Sequence, residues 1–304
     1  MKKLLILITA FLFLSLNSQT PKVSSGKIIE YQNFNSVNIG NRNVRIWLPD
    51  NYDPRIKHQV LFANDGQMLW DGTITWNQQE WKLDEVLGKL IKEKKVKPTI
   101  VVAVDNAGVN RHSEYFPQKP FESLTRKTQD SLYTLKRQPN QLLFASKVYS
   151  DQYLKFLVEE LKPFVERNYT TYKNNKHTFI MGSSMGGLIS MYAATEYPNI
   201  FGGAICMSTH WPGIFLAENN PVPQAFQNYL KENLPKYGKN KYYFDFGTET
   251  LDAMYELHQK EVDKIMREKK YTKKYWQTLK FSGAAHTEEA WAQRLVIPLS
   301  MMLR

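Results

Sequence analysis

Cysteine is nearly absent from this chain of 304 residues: Cys206 stands alone. One thiol cannot close an internal disulfide, and it cannot build the cysteine cluster of a structural zinc site. Its apolar surroundings read as those of a small buried side chain. Linkers are also missing. No Pro/Gly/Ser-rich stretch divides the chain and no segment repeats, so residues 19–304 are expected to form one domain. The formal charge of +11 has no concentrated basic stripe behind it. Lys and Arg are scattered or sit in surface runs such as Lys92 to Lys97 and Arg267 to Lys274, which speaks against nucleic acid as a partner. The apolar run Leu4 to Leu16 is too short to be a comfortable membrane span. Preceded by Lys2 and Lys3 and followed by Asn17-Ser18-Gln19-Thr20, it has the pattern of an export signal over residues 1–18. A periplasmic or secreted bacterial protein is therefore expected, with no membrane span in its mature part.

Hydrophobic residues make up 42% of the chain, enough for one large core. Short apolar runs alternate with helical periodicity. Strand-like runs are Lys27 to Phe34 and Ser36 to Leu48, with a turn at Asn41-Arg42-Asn43, then Gln59 to Ala63 and Pro98 to Val104. Further strands follow at His177 to Met181, Gly203 to Met207, Tyr242 to Phe246 and Tyr275 to Phe281. Helical spacing marks Trp81 to Lys92, Asp151 to Tyr169, Leu251 to Glu268 (with His258 on its inner face) and Glu288 to Leu303. This alternation predicts an α/β fold: a mostly parallel central sheet with helices on both faces, and ligand groups at the carboxyl ends of the strands. Residues 116–147 interrupt the rhythm with Pro117, Pro120 and Pro139 and little periodicity. They leave from the end of a central strand and read as a lid or specificity insertion.

Between the strand ending at Met181 and the helix beginning near Met185 lies Gly182-Ser183-Ser184-Met185-Gly186. A G-x-S-x-G turn in a strand–turn–helix setting is what a nucleophile elbow requires. The serine takes a strained backbone conformation, and the positions two before and two after it must be small. Ser184 is the candidate nucleophile. Its base should come later in the chain, after an acid. Of six histidines, His286 sits in a small-residue loop after the last strand and is the candidate base, while His210 and Trp211 are placed to line the pocket. The acid should follow the Tyr242–Phe246 strand, where both Asp252 and Glu249 are available. Asp252 is preferred, although it could instead cap a helix. The N–H of Met185 and that of Gln67 or Gly66 are the candidate oxyanion donors.

At these residues the chain resembles the enterochelin-esterase and esterase-D-like group of α/β hydrolases. The likeness is carried by ANDGQMLWD (Ala63 to Asp71), VAVDNAGVNRHSEYFP (Val102 to Pro117), GSSMGGL (Gly182 to Leu188), STHWPG (Ser208 to Gly213), GTETLD (Gly247 to Asp252) and GAAHTEEAW (Gly283 to Trp291). Asn64 stands where that group's loop more often has His. The resemblance implies the α/β-hydrolase fold and a serine hydrolase of carboxylic esters working without metal or organic cofactor, on a small-molecule or saccharide-linked ester. It also places Arg111 and Tyr115 where they could bind substrate, with an Arg111–Glu114 ion pair as the structural alternative. The expected function is a serine esterase working through an acyl-enzyme. An acyltransferase on the same fold, or a non-catalytic carbohydrate- or partner-binding relative, are the alternatives.

Overall fold

The computed structural model describes residues 20–215 and 218–304; the expected export signal lies outside them. Among the described residues ten strands are present: β1 Lys27–Phe34, β2 Arg42–Leu48, β3 Gln59–Asn64, β4 Thr99–Val104, β5 Lys136–Gln138, β6 Gln141–Leu142, β7 Thr178–Ser183, β8 Gly203–Met207, β9 Lys241–Gly247 and β10 Trp276–Phe281. Eight of them form one sheet in the order β1-β2-β4-β3-β7-β8-β9-β10. From β4 to β10 the neighbours run parallel, and β1 and β2 pair antiparallel at one edge. The order reverses around β3 and β4, so crossovers run to both sides and cover both faces.

Successive residues of a strand point to opposite faces, and the strands are apolar on both. One face carries Val60, Phe62, Val102, Ile180, Cys206 and Phe244 against helices α5 (Ser150–Lys155) and α6 (Lys162–Asn168), α7 (Met185–Glu196), α8 (Val222–Asn233) and α9 (Glu256–Glu268). The other carries Leu61, Ala63, Val101, Met181, Ile205 and Tyr243 against α1 (Leu83–Lys92), α10 (Glu288–Arg294) and α11 (Val296–Met302). This is the α/β-hydrolase architecture expected from the alternation.

Several expected boundaries move, each for a local reason. The turn between β1 and β2 falls over residues 35–41, because Arg42 already pairs with Phe34 and Asn43 lies within β2. The long helix expected from Asp151 to Tyr169 passes through a π-helical stretch at Phe156–Leu161; Pro163, just beyond, has no N–H to return to Glu159. The last helix is divided near Leu295, since Pro298 cannot donate to the Arg294 carbonyl. The helix expected from Leu251 begins at Glu256, after a 3₁₀ stretch at Thr250–Met254. That shift turns Gln259 inward and leaves His258 only half-buried. Helix α8 escaped the periodicity reading altogether. The insertion 116–147 holds α3 (Gln118–Glu122), α4 (Arg126–Tyr133) and the β5–β6 hairpin, following α2 (Arg111–Tyr115). Phe116, Phe121, Leu132, Leu143 and Phe144 root it in the main core.

Candidate active site

Six parallel strands end on the same edge of the sheet, and the chain leaving each one contributes to a single cleft of about 680 Å³. Asp65 and Gln67 follow β3, Asn106 and Arg111 follow β4, Ser184 and Met185 follow β7, His210 follows β8, Leu251 follows β9 and His286 follows β10; all of them line it.

Ser184 sits at φ 56°, ψ −121°, a conformation that side chains rarely adopt. Four backbone hydrogen bonds hold it there: its N–H donates to Met207 O at 3.0 Å, and its own carbonyl accepts from Gly187 N at 3.0 Å, Leu188 N at 3.1 Å and His210 N at 3.2 Å. The sharp bend brings the start of α7 against the end of β7. A Cβ on Gly182 would lie 2.5 Å from the Gly186 carbonyl carbon, so that position must be glycine. Asn64 ties the elbow to β3: its amide donates to Met181 O at 3.0 Å and Ser190 Oγ at 2.9 Å, and its oxygen accepts from Tyr153 at 2.6 Å. The residue standing in for the more usual His is thus a structural brace.

His286 Nδ1 lies 2.5 Å from Asp252 Oδ1. Asp252 is buried, and its other oxygen accepts from Ser208 Oγ and Gly247 N, both at 2.5 Å. Burial works to raise the Asp252 pKa. The hydrogen bonds from His286, Ser208 and Gly247 outweigh it and hold the carboxyl below its usual range. Ser208 is fixed in turn by Trp291 Nε1 and by Arg294, each at 2.9 Å, and Arg294 pairs with buried Asp245 at 2.8 Å. Trp291 also packs edge-on against the His286 ring at 5.0 Å. Glu249 points away from this cluster: its side chain is exposed, and its backbone N–H donates to Ala284 O.

The remaining candidates divide. Met185 opens α7, so its N–H has no acceptor within the helix. Gln67 lines the cleft, and its side-chain oxygen accepts from Asn106 N at 3.2 Å. Gly66 packs against the Val104 backbone and does not line the cleft. Arg111 lines it, gripped by Asp65 through two hydrogen bonds of 2.6 and 2.8 Å. Glu114 pairs with Arg42 at 2.6 Å, which corrects the Arg111–Glu114 alternative. Tyr115 and Trp211 are corrected as substrate contacts. Tyr115 is fully buried with its hydroxyl accepting from Asp65 N, and Trp211 is a core residue bonded to Gln259 at 2.7 Å. In both cases a large aromatic ring was drawn into the core. His210 does line the cleft, fully buried, with Nδ1 2.8 Å from the Tyr255 hydroxyl.

Sequence reasoning passed over Tyr255, Ser208, Arg294, His112, Arg137 and Trp76. Tyr255 and Arg294 lay inside apparent helices and gave no separate signal. His112, Arg137 and Trp76 also line the cleft. Burial, with the charges of Arg111 and Arg137 adding to it, pushes His112 down to about 3. No cluster of metal-ligating side chains occurs among the described residues, and none of their helices is long and apolar enough to cross a membrane.

The fold and this arrangement at the strand ends define an α/β hydrolase. Residues 36–299 match the sequence profile of the family described as "Putative esterase". The chain belongs to that family. A Bacillus subtilis protein described only as uncharacterized protein YjcH is 24% identical over 166 residues, 54% of each chain, so this chain spans about half the length of that curated relative. Among solved structures, a ferulic acid esterase from Anaeromyces mucronatus in complex with ferulic acid is 16% identical, with a TM-score of 0.63 covering 94% of each chain. An enterochelin esterase from Shigella flexneri is 16% identical with a TM-score of 0.63, over 93% of this chain and 59% of that one. At these identities the structural likeness speaks for the fold. With the family match, it agrees in placing the chain among α/β-hydrolase folds of the esterase family.

Proposed function

We propose that this protein is an exported serine esterase in which Ser184 is the nucleophile, His286 the base and Asp252 the acid. The observation that carries the reading is the strained Ser184 elbow sharing one cleft with a histidine whose Nδ1 is bonded to a buried, ionised aspartate. Asp252 accepts the Nδ1 proton of His286, which leaves Nε2 with its lone pair for the nucleophile. Ser184 Oγ attacks the ester carbonyl while its proton passes to Nε2. The carbonyl electron pair moves onto oxygen, where the N–H groups of Met185 and Gln67 receive it. Collapse expels the alcohol, which takes the proton from Nε2. Water, deprotonated by the same nitrogen, then releases the acid and restores Oγ–H. Ser184 and His286 line the same cleft without a direct hydrogen bond in the resting structure. The reaction therefore requires a small rotation of the serine side chain, as is common before substrate binds. Small-molecule or saccharide-linked esters suit a cleft with aromatic side chains at its mouth, Trp76 and Phe215, and the feruloyl and enterochelin esterases sharing the fold support that class. Hydrolysis of p-nitrophenyl acetate is the test. The wild type is expected to turn over and Ser184→Ala to fall to the buffer rate; equal rates would refute the proposal.

A further inference from the structure

Most of the charged and titratable side chains that line the cleft are already engaged. Asp65 accepts from Arg111 at 2.6 and 2.8 Å and from Asn106 at 2.7 Å. His286 is bonded to Asp252, and Glu288 accepts from Asn77 at 2.8 Å. Three basic groups are left. Arg137, in β5 of the insertion, is reached by solvent, and its side chain has no hydrogen bond or ion pair among the described residues. His112 and His210 are 4% and 1% exposed, and the Nε2 of each is buried without a hydrogen-bond partner. The scheme above gives no task to any of them.

These open atoms call for the same partner. A guanidinium has only donors to offer, and it stays charged at any working pH. Burial and the like charge of Arg111 both lower the Arg137 pKa, so the cation is held in the cleft against resistance. Either nitrogen of a neutral imidazole can carry the proton. With Nδ1 of His210 accepting the Tyr255 O–H at 2.8 Å, Nε2 carries the proton and is a buried donor without an acceptor, a costly state until one arrives. The two carboxylates that line the cleft are bonded elsewhere and do not supply it. We propose that the ester this protein acts on carries an anionic oxygen group, of which a carboxylate is the simplest, and that this group seats on Arg137 with the Nε2–H groups of His210 and His112 as further donors. Arg137 is then a specificity-determining residue, and the inference rests on the serine-esterase reading above. An ester bound this way gains a charge-assisted pair that its neutral counterpart lacks, and the imidazoles donate without having to ionise.

The experiment compares matched esters on the full chain. On the alcohol side, 4-acetoxybenzoate is set against its methyl ester. On the acyl side, the p-nitrophenyl monoester of adipic acid is set against its methyl ester. The readout is the ratio of kcat/KM, anionic over neutral, with the buffer rate subtracted; dividing each variant's ratio by that of wild type cancels the intrinsic reactivity of the esters. In at least one pair Arg137→Gln should lower the ratio about tenfold, and Arg137→Lys by less, since lysine keeps the charge and loses the planar fork. The pair that responds tells which side of the ester carries the anion. Adding about 0.5 M NaCl should bring the wild-type ratio toward that of Arg137→Gln. His112→Phe, whose ring can rest on Phe116 and Phe144, should lower the same ratio by a smaller factor. A ratio unchanged by Arg137→Gln in both pairs overturns the proposal and leaves Arg137 a solvated surface residue. A loss in Arg137→Gln with none in His112→Phe or His210→Phe would strike the imidazoles from the site. If the wild type hydrolyses none of the four esters faster than Ser184→Ala does, the esterase reading fails and this inference with it. Hydrolysis of the neutral esters with no response to Arg137→Gln refutes this inference alone.

Discussion

On the β9–β10 side of the cleft, Asp252 accepts hydrogen bonds from His286, Ser208 and Gly247, and Ser208 is held by Trp291 and Arg294. At the outer wall, formed by the β5–β6 hairpin and by residues 72–79, which meet α10 through Asn77 and Glu288 at 2.8 Å, Trp76 is 85% exposed, and the Arg137 side chain has no hydrogen bond or ion pair among the described residues. The first wall has one geometry available to it and is suited to hold reacting groups within tenths of an ångström. The second can adapt its side chains to what enters. Under the proposed function, chemistry and selectivity fall to different parts of the chain, and changes on the two walls should have different signatures.

The sharpest contrast is expected from the acid. Asp252→Asn should lower kcat for p-nitrophenyl acetate by up to ~10⁴-fold, because the amide favours the wrong imidazole tautomer. Glu249→Gln should remain within about twofold of wild type. A larger loss from Glu249→Gln would reassign the acid. Next comes Arg294→Met, which leaves buried Asp245 without its partner and should cost roughly 3–5 kcal/mol of stability in urea unfolding. A loss below about 1 kcal/mol would mean that the network is dispensable.

A smaller effect should appear with pH. His112 is held down to about 3 by burial, whereas in the unfolded chain it titrates near the ordinary histidine value. Below that ordinary value the unfolded chain binds a proton that the folded one refuses. Its contribution therefore destabilises the fold as pH falls toward 3, by about 1.4 kcal/mol per unit at most. His112→Phe, which can rest on Phe116 and Phe144, should lose less stability than wild type between pH 7 and pH 5. Equal losses would exclude this site as the cause. The smallest effects belong to the outer wall. Trp76→Ala and Arg137→Gln should shift stability by no more than ~0.5 kcal/mol. They should leave acetate hydrolysis unchanged while altering the ranking of bulkier esters. An unaltered ranking across acetyl, feruloyl and catecholate esters would remove the proposed division between the walls.

The same contrast explains what could be read in advance. Strands buried on both faces announce themselves as apolar runs, and the elbow must carry glycine at 182, so the sheet and Ser184 were legible. His286 was legible because small residues around it mark a loop after a strand. The choice between Asp252 and Glu249 was not, since only two residues separate them and a 3₁₀ turn decides which faces inward. Helix α8 was obscured by Pro221 and Pro223 at its start, and the insertion by its prolines and polar surface. Trp211 and Tyr115 were misplaced because a sequence shows that an aromatic ring lies in a segment leading to the cleft but not which way its side chain packs. Tyr255, Ser208 and Arg294 are held by contacts across 44 to 86 residues of sequence, which no local pattern reveals.

The central claim concerns one covalent bond. Quenching the wild type early in its reaction with p-nitrophenyl acetate and digesting it for mass spectrometry should reveal an acetyl group on Ser184 and none on Ser183, appearing with a burst of about one equivalent of nitrophenolate. Acetyl on a different residue, or steady turnover with Ser184 unmodified and still proceeding in Ser184→Ala, would contradict it.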